Sequence, residues 1–156
     1  MIWLRTALFT LLVPGTVLGL LPFALVASGV GPRFDLGIWR WAGALPLGLG
    51  LVVIFWCFGD FIRRGRGTPA PYDPPRDLVI VGLYRYVRNP QYLGVAMVVV
   101  GEAMLTGVVV LFGYGALLAV AYHLFVTRYE EPTLRRIFGE AYARYCEAVP
   151  RWVPRF

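Results

Sequence analysis

The chain has 156 residues, 58% of them hydrophobic and 15% charged, with a formal net charge of +6 and a mean hydropathy of +0.65. That is too little charge to cover a soluble domain of this length, and the apolar residues fall in long runs. Backbone in hydrocarbon must satisfy its own hydrogen bonds, so such runs are helices, and the composition describes an all-α polytopic membrane protein.

The first run, residues 2–27, is interrupted by Arg5, Pro14 and Pro22. Its weakly basic start and its length, well beyond the ~7–15 residues of a signal-peptide core, favour a retained helix over a cleaved leader. The second run is 38–62. Gly43, Gly48 and Gly50 leave its outer half thin, and Pro46 predicts a kink there. Trp3, Trp39 and Trp41 sit where interfacial aromatic belts belong.

Segment 63–90 forms the expected loop. Its first part, 63–77, holds four prolines and cannot be a regular helix. It reads either as a lid or as a stretch hugging anionic headgroups. The third span, 91–107, is short: its apolar run, 92–106, gives about 22 Å of helix at ~1.5 Å per residue. The fourth, 108–129, follows with only Gly107 for a turn, so the two make an antiparallel hairpin. Gly94 with Gly101, and Gly115 with Ala119, have the spacing of helix-packing faces.

Past the fourth span the pattern is an amphipathic tail helix, 132–148, with Pro132 at its first position. Leu134, Ile137, Phe138, Ala141, Tyr145 and Ala148 form its apolar stripe. Arg136 with Glu140, and Glu140 with Arg144, pair on the other side. The expected architecture is thus a single domain, 1–156, of four transmembrane helices with a C-terminal amphipathic helix lying on the cytosolic surface.

The charge sets the topology. All 15 basic residues are arginines, and most lie in 63–90 or after residue 127. The positive-inside rule then puts both termini and the 63–90 loop in the cytosol, as in a multi-pass protein of the cell inner membrane. This distribution argues for a lipid bilayer rather than nucleic acid as the partner of the net charge. Cys57 and Cys146 form no disulfide framework, and with His123 the lone histidine there is no metal-ligand spacing.

The hairpin brings the start of span three level with the end of span four. Tyr84, Arg88, Asn89 and Tyr92 are therefore expected beside Arg128, Glu130 and Glu131 at one membrane boundary. The plain alternative is interface snorkelling, against which the adjacent carboxylates Glu130 and Glu131 argue, since they repel unless a cation offsets them. His123, Thr127 and Glu130 follow i, i+4, i+7 and read as one wall of a cavity, or as a histidine bonding a nearby carbonyl. Glu102, near the outer end of span three, is expected to have a structural partner, either Thr106 or an arginine of the outer loop.

Three blocks together carry a resemblance: residues 78–94 (LVIVGLYRYVRNPQYLG), Glu130-Glu131-Pro132, and 138–145 (FGEAYARY) closing with Val149-Pro150-Arg151. The chain from Leu78 onward resembles the isoprenylcysteine carboxyl methyltransferase and phospholipid methyltransferase superfamily. The resemblance implies an integral membrane methyltransferase using S-adenosylmethionine. By position it implies cofactor contact from Leu78, Val79, Tyr84, Asn89, Pro90, Tyr92 and Glu130. That superfamily usually has histidine before the proline; Asn89 can donate and accept but cannot titrate. Gly48-Leu49-Gly50 resembles a Gly-x-Gly of the phospholipid branch but is expected toward the outer half, away from the cluster.

On chemical grounds Glu130 and Glu131 would offset the cofactor's cationic groups, Arg88 would take its carboxylate, and Tyr84 or Tyr92 would flank the adenine. An amine acceptor needs a base, for which Glu131 and His123 are the candidates; a carboxylate or thiolate needs none, and Arg128 would then orient it. The acceptor is expected to be a small lipophilic or membrane-borne molecule entering laterally between helices. The alternative is a non-catalytic membrane scaffold that binds a lipid or protein partner. A transporter is disfavoured, because spans one and two carry almost no polar residues.

Overall fold

The computed structural model describes residues 12–65 and 78–155. Residues 2–11 of the first expected span and most of the proline-rich loop lie outside the described residues. Among those described there is no strand, only a single backbone bridge between Arg33 and Val108.

The first helix, α1, is Leu12–Ala27. It opens into a π turn at Thr16–Leu20, and Pro22 follows inside the helix, at the start of the regular stretch Leu21–Ala27. A second helical run, Gly37–Arg63, begins as a 3-10 helix (Gly37–Gly43). It continues as α2, Ala44–Asp60, and ends in a π turn, Phe61–Gly65. Pro46 sits in the first turn of α2, just past the change from 3-10 to α geometry.

A one-turn 3-10 helix, Gly82–Arg85, leads to α3, Pro90–Thr106, which has Pro90 at its first position. Gly107 closes α3 in the left-handed region (φ 68°), its N–H bonded to the Ala103 carbonyl. Then α4, Val110–Phe125, runs through a π turn, Val126–Glu130, into α5, Glu131–Ala148. The expected span and tail helix are therefore one continuous path, Val110–Ala148. Its real break comes later, at Gly139, with φ 54° and ψ −127°. Side chains disfavour this conformation, and glycine permits it.

Two paths, Gly37–Arg63 and Val110–Ala148, are long and apolar enough to cross a bilayer, while Leu12–Ala27 and Pro90–Thr106 are apolar but shorter. Their outer faces carry Leu45 at 68% exposure, Phe55 at 62% and Leu117 at 67%. Water would not tolerate so many large apolar side chains, whereas lipid covers them at no cost.

The tightest contact is α2 against α3. A Cβ on Gly50 would lie 2.5 Å from the Gly94 carbonyl oxygen, and one on Gly101 would lie 2.6 Å from that of Gly43. Two glycine pairs, seven residues apart on each helix, thus bring the backbones together, and the two glycine faces of spans two and three are one seam. Gly50 is spent in this seam, while Gly48 faces open space. Ile54, Phe58, Val95 and Val98 continue the contact, with Val17, Leu18, Leu118 and Tyr122 packed on it. At the hairpin end, Ala103, Val108 and Leu111 form a second cluster.

Candidate functional site

The polar residues gather where α3 begins and α4 ends. Asn89 precedes Pro90, which excludes the helical region for it, and its φ of −125° and ψ of 53° turn the chain into α3. Arg88, one residue earlier, is thereby carried under the start of α3. From the other side, the π turn at Val126–Glu130 adds a residue to the helical register just before the two glutamates.

Within the expected polar stripe, the Thr127 hydroxyl donates back to the His123 carbonyl at 2.7 Å. Glu130 and Glu131 face the loop before α3, each with its own partners. Glu131, 6% exposed, accepts from Arg88 Nη1 at 2.9 Å and from Arg151 Nε and Nη2 at 2.7 and 2.9 Å. Glu130 accepts from the Tyr92 hydroxyl at 3.0 Å. Among the described residues no basic side chain pairs with it.

The electrostatics follow from this division. Both groups lie past the apolar stretch of α4. Burial lifts the Glu130 carboxyl above its ordinary value; the Tyr92 hydrogen bond only partly opposes this, and the Glu131 charge adds to it. Burial would raise Glu131 as well. The Arg151 hydrogen bonds and the Arg88 and Arg151 charges outweigh it and hold Glu131 below its ordinary value. A carboxylate so held is a poor proton acceptor. The expectation that Glu131 acts as a base is at odds with this geometry, which makes it the centre of an arginine clamp.

The segment after α5 completes the site. Val149 leaves the helix in an extended conformation, and the chain then passes beneath the start of α3. The Arg88 N–H donates to the Pro150 carbonyl at 2.9 Å, and the Arg155 N–H to that of Tyr86 at 3.0 Å. Asn89 Nδ2 donates to the Arg151 carbonyl at 3.1 Å. Arg88 Nη1 also approaches Cys146 Sγ at 2.9 Å. The sequence reading missed Arg151, Trp152 and Cys146 as site residues. The signal for Arg151 was the closing Val149-Pro150-Arg151 block.

The other expected residues divide. Tyr84 is buried, its ring edge-on to Phe61 and its carbonyl accepting from the Tyr145 hydroxyl at 2.7 Å. With Val79 and Cys57 it forms an apolar floor rather than an open ring face. Leu78 packs on the Tyr142, Tyr145 and Val149 cluster of the tail, and Pro90 is buried at the head of α3. His123 is exposed; its Nδ1 accepts from Trp152 Nε1 at 3.2 Å. Arg128 is exposed and makes no ion pair or hydrogen bond among the described residues. The structure therefore brings together Arg88, Asn89, Tyr92, Glu130 and Glu131, and leaves Arg128 outside.

Three buried side-chain atoms lack a partner among the described residues: Arg88 Nε, Asp60 Oδ2 and Glu102 Oε2. Gly82, at φ 53°, packs directly on Asp60 Oδ2, and a Cβ there would collide with it. Glu102 does not use Thr106 as expected, because the Thr106 hydroxyl donates to the Glu102 backbone carbonyl.

Beside the cluster, between α3 and α4, runs an apolar cleft of about 290 Å³. Tyr92 stacks on Tyr122 at 4.6 Å between ring centroids, and Trp152 lies 6.4 Å from Tyr92 and 6.1 Å from His123. These four rings line one end of the cleft; Val99 and Gly115 line the other. Tyr92 therefore belongs to both compartments, with its hydroxyl on Glu130 and its ring on the cleft.

A family model described as phospholipid methyltransferase matches residues 38–141, from the second apolar run into the tail helix. No curated protein and no solved structure matches the chain.

Proposed function

The chain belongs to the phospholipid methyltransferase family, and from that premise we propose that it uses S-adenosylmethionine to methylate a lipophilic, membrane-borne acceptor at the cytosolic face. The observation that carries this reading is the state of Glu130. It is a half-buried carboxylate that, among the described residues, has a phenol for a partner but no cation, beside a carboxylate that has two. Burying a charge without a counter-charge is costly, so the site is built to receive a positive group.

The residues fit the cofactor on two further counts. Among the described residues, Arg88 keeps a buried Nε without an acceptor, suited to a carboxylate, and Asp60 Oδ2 is a buried acceptor without a donor, suited to a hydroxyl. In this reading Glu130, Tyr92, Arg88 and Asn89 hold the cofactor, while Leu78, Val79, Tyr84 and Pro90 supply the packed floor behind it. When bound, S-adenosylmethionine supplies a methyl carbon whose bond to sulfur breaks toward sulfur as an acceptor lone pair takes the methyl. The chain's own part is positioning and exclusion of water: Glu130 offsets positive charge, and the Arg88–Glu131–Arg151 clamp fixes the loop that carries Asn89.

An amine acceptor also has to lose a proton. His123, exposed at the mouth of the cleft, is the group we assign to take it, in place of the clamped Glu131. Arg128 is free to meet an anionic headgroup. The four spans, with both termini in the cytosol of an inner-membrane protein, remain part of this proposal and rest on the arginine distribution.

The test is titration of purified full-length protein with S-adenosylmethionine, wild type against Glu130→Ala. The expected result is a loss of about tenfold or more in affinity, the scale of one charge-assisted contact. Equal binding by both proteins, or none by either, would sink the cofactor assignment.

A further inference from the structure

The end of the bundle opposite the candidate site carries a second, polar cavity, and we propose that it binds the headgroup phosphate of an anionic membrane lipid. Arg33 and Arg40 hold the phosphate, and the acyl chains run along the exposed flank of α2.

The cavity, about 230 Å³, lies where the loop after α1 meets the turn between α3 and α4. Arg33, Asp35 and Arg40 line it from the loop, and Met104, Thr106 and Gly107 from the turn. Backbone ties the two segments together. The Phe34 N–H donates to the Gly107 carbonyl at 3.0 Å, and the Val109 N–H to that of Pro32 at 3.1 Å. A Cβ on Gly107 would collide with the Phe34 carbonyl oxygen, and the Phe34 ring stacks on Phe112 at 6.0 Å. A frame tied at this many points is organised before a ligand arrives.

Its charge is unbalanced. Arg33 donates from Nη2 to the Val26 carbonyl at the end of α1, at 3.0 Å, which fixes the side chain and uses one of its five donors. Arg40 lies over the Trp41 ring, 5.1 Å from the centroid. Asp35 accepts from the Gly37 N–H at 2.7 Å, and among the described residues it forms no ion pair with either arginine. Two guanidiniums with donors to spare therefore face one cavity with one carboxylate. A phosphodiester offers the paired oxygens that a guanidinium fork takes.

The surroundings favour a lipid over a free ion. Between residues 28 and 62 the only arginines are Arg33 and Arg40, and both line this cavity. A diffuse positive surface would not converge in this way. Directly beside Arg40, Ile38 and Trp39 are 80% and 75% exposed, and Leu45 continues the apolar flank down α2. Tryptophan at the end of an apolar helix marks the headgroup boundary. The cavity stands apart from the cluster at the start of α3, so it does not depend on the methyltransferase reading.

The test follows amide exchange by mass spectrometry in full-length protein in neutral maltoside micelles, in peptides covering 28–43 and 103–110. Three additions are compared: dioleoyl phosphatidylglycerol, dioleoylglycerol with the same tails and no phosphate, and inorganic phosphate. Phosphatidylglycerol is expected to slow exchange in both peptides, and the other two to leave it unchanged. Arg40→Gln, which keeps the Arg33–Val26 bond, should raise the lipid concentration needed about tenfold, the scale of one charge-assisted contact. Arg40→Lys should recover only part of that loss, since an ammonium has no fork. Arg136→Gln, the same charge change at an exposed position of α5, should leave the concentration unmoved.

Equal protection by inorganic phosphate would overturn the lipid assignment, and equal protection by dioleoylglycerol would overturn the role of the phosphate. Equal loss in Arg40→Gln and Arg136→Gln, or no protection by phosphatidylglycerol, would overturn the site. None of these readouts involves S-adenosylmethionine, so the outcome is separate from that of its titration.

Discussion

Glu130 and Glu131 are neighbours in the chain and opposites in their surroundings. Glu131 is shared by Arg88 and Arg151, whereas Glu130 is met by the hydroxyl of Tyr92. Burial moves the first carboxyl up, and the two guanidiniums hold the second down. The site divides its work along this line, with Glu131 holding the loop before α3 in place and Glu130 left available for a ligand.

The difference has a pH signature. Burial lets Glu130 hold its proton to a higher pH than an ordinary carboxyl, so the affinity for S-adenosylmethionine should fall as pH drops through its raised value. Glu130→Gln should bind more weakly and lose most of this slope. Calorimetric titration across pH 5–8 checks it, and an unchanged slope in the glutamine variant would assign the effect elsewhere.

For Glu131 the sign is reversed. Its folded value lies below the ordinary 4.5, so the stability it contributes is present above about 4.5 and lost as pH falls through the lower folded value. Glu131→Ala should destabilise the fold by about 3 kcal/mol, because Arg88 is left buried and unpaired. Arg151→Ala should cost about 1 kcal/mol, since that side chain is a third exposed (34%) and its charge is partly screened. Thermal unfolding in detergent at pH 7 tests the order of the two.

Two glycines of α2 make a matched pair. Gly50→Ala puts a methyl against the Gly94 backbone and should cost about 1–3 kcal/mol by forcing α2 and α3 apart. Gly48→Ala meets nothing within 4 Å and should be neutral or stabilising by up to about 1 kcal/mol. Unfolding midpoints of the two variants, measured side by side, decide whether the seam is as tight as described.

Gly139→Ala isolates a backbone effect, because an added Cβ there meets no neighbour. The positive φ should still cost about 1–3 kcal/mol. If the bend straightens, Arg151 and Trp152 leave Glu131 and His123, and S-adenosylmethionine binding falls with it. Retained binding together with a lowered unfolding midpoint would show that the bend stabilises the tail without shaping the site.

Much of this was legible in the sequence because hydropathy, hairpin geometry and proline placement are local signals. The run lengths marked the helices, Gly107 marked the turn, and the hairpin alone brought Arg88, Asn89 and Tyr92 to Glu130 and Glu131. What escaped depends on register and return. A π turn leaves no compositional mark, so the change of register before Glu131 was not legible. Gly139 sits in a pattern that reads as unbroken helix, and only the folded tail reveals that Trp152 comes back to His123. The clamp on Glu131 was hidden for the same reason, since Arg151 lies 20 residues away in the chain.

The two sides of α3 differ in what substitutions they can absorb. Against α2, its backbone touches another backbone, and any side chain at Gly94 or Gly101 is a collision. Against α4, the contact leaves a gap lined by residues whose size can change without disturbing that seam. Sequence drift within the family should follow this split, with positions 50, 94 and 101 held nearly invariant and positions 96 and 119 free to vary. A lineage can thereby take on a new acceptor through one or two exchanges on a single helix face, while the frame that supports the chemistry is inherited unchanged.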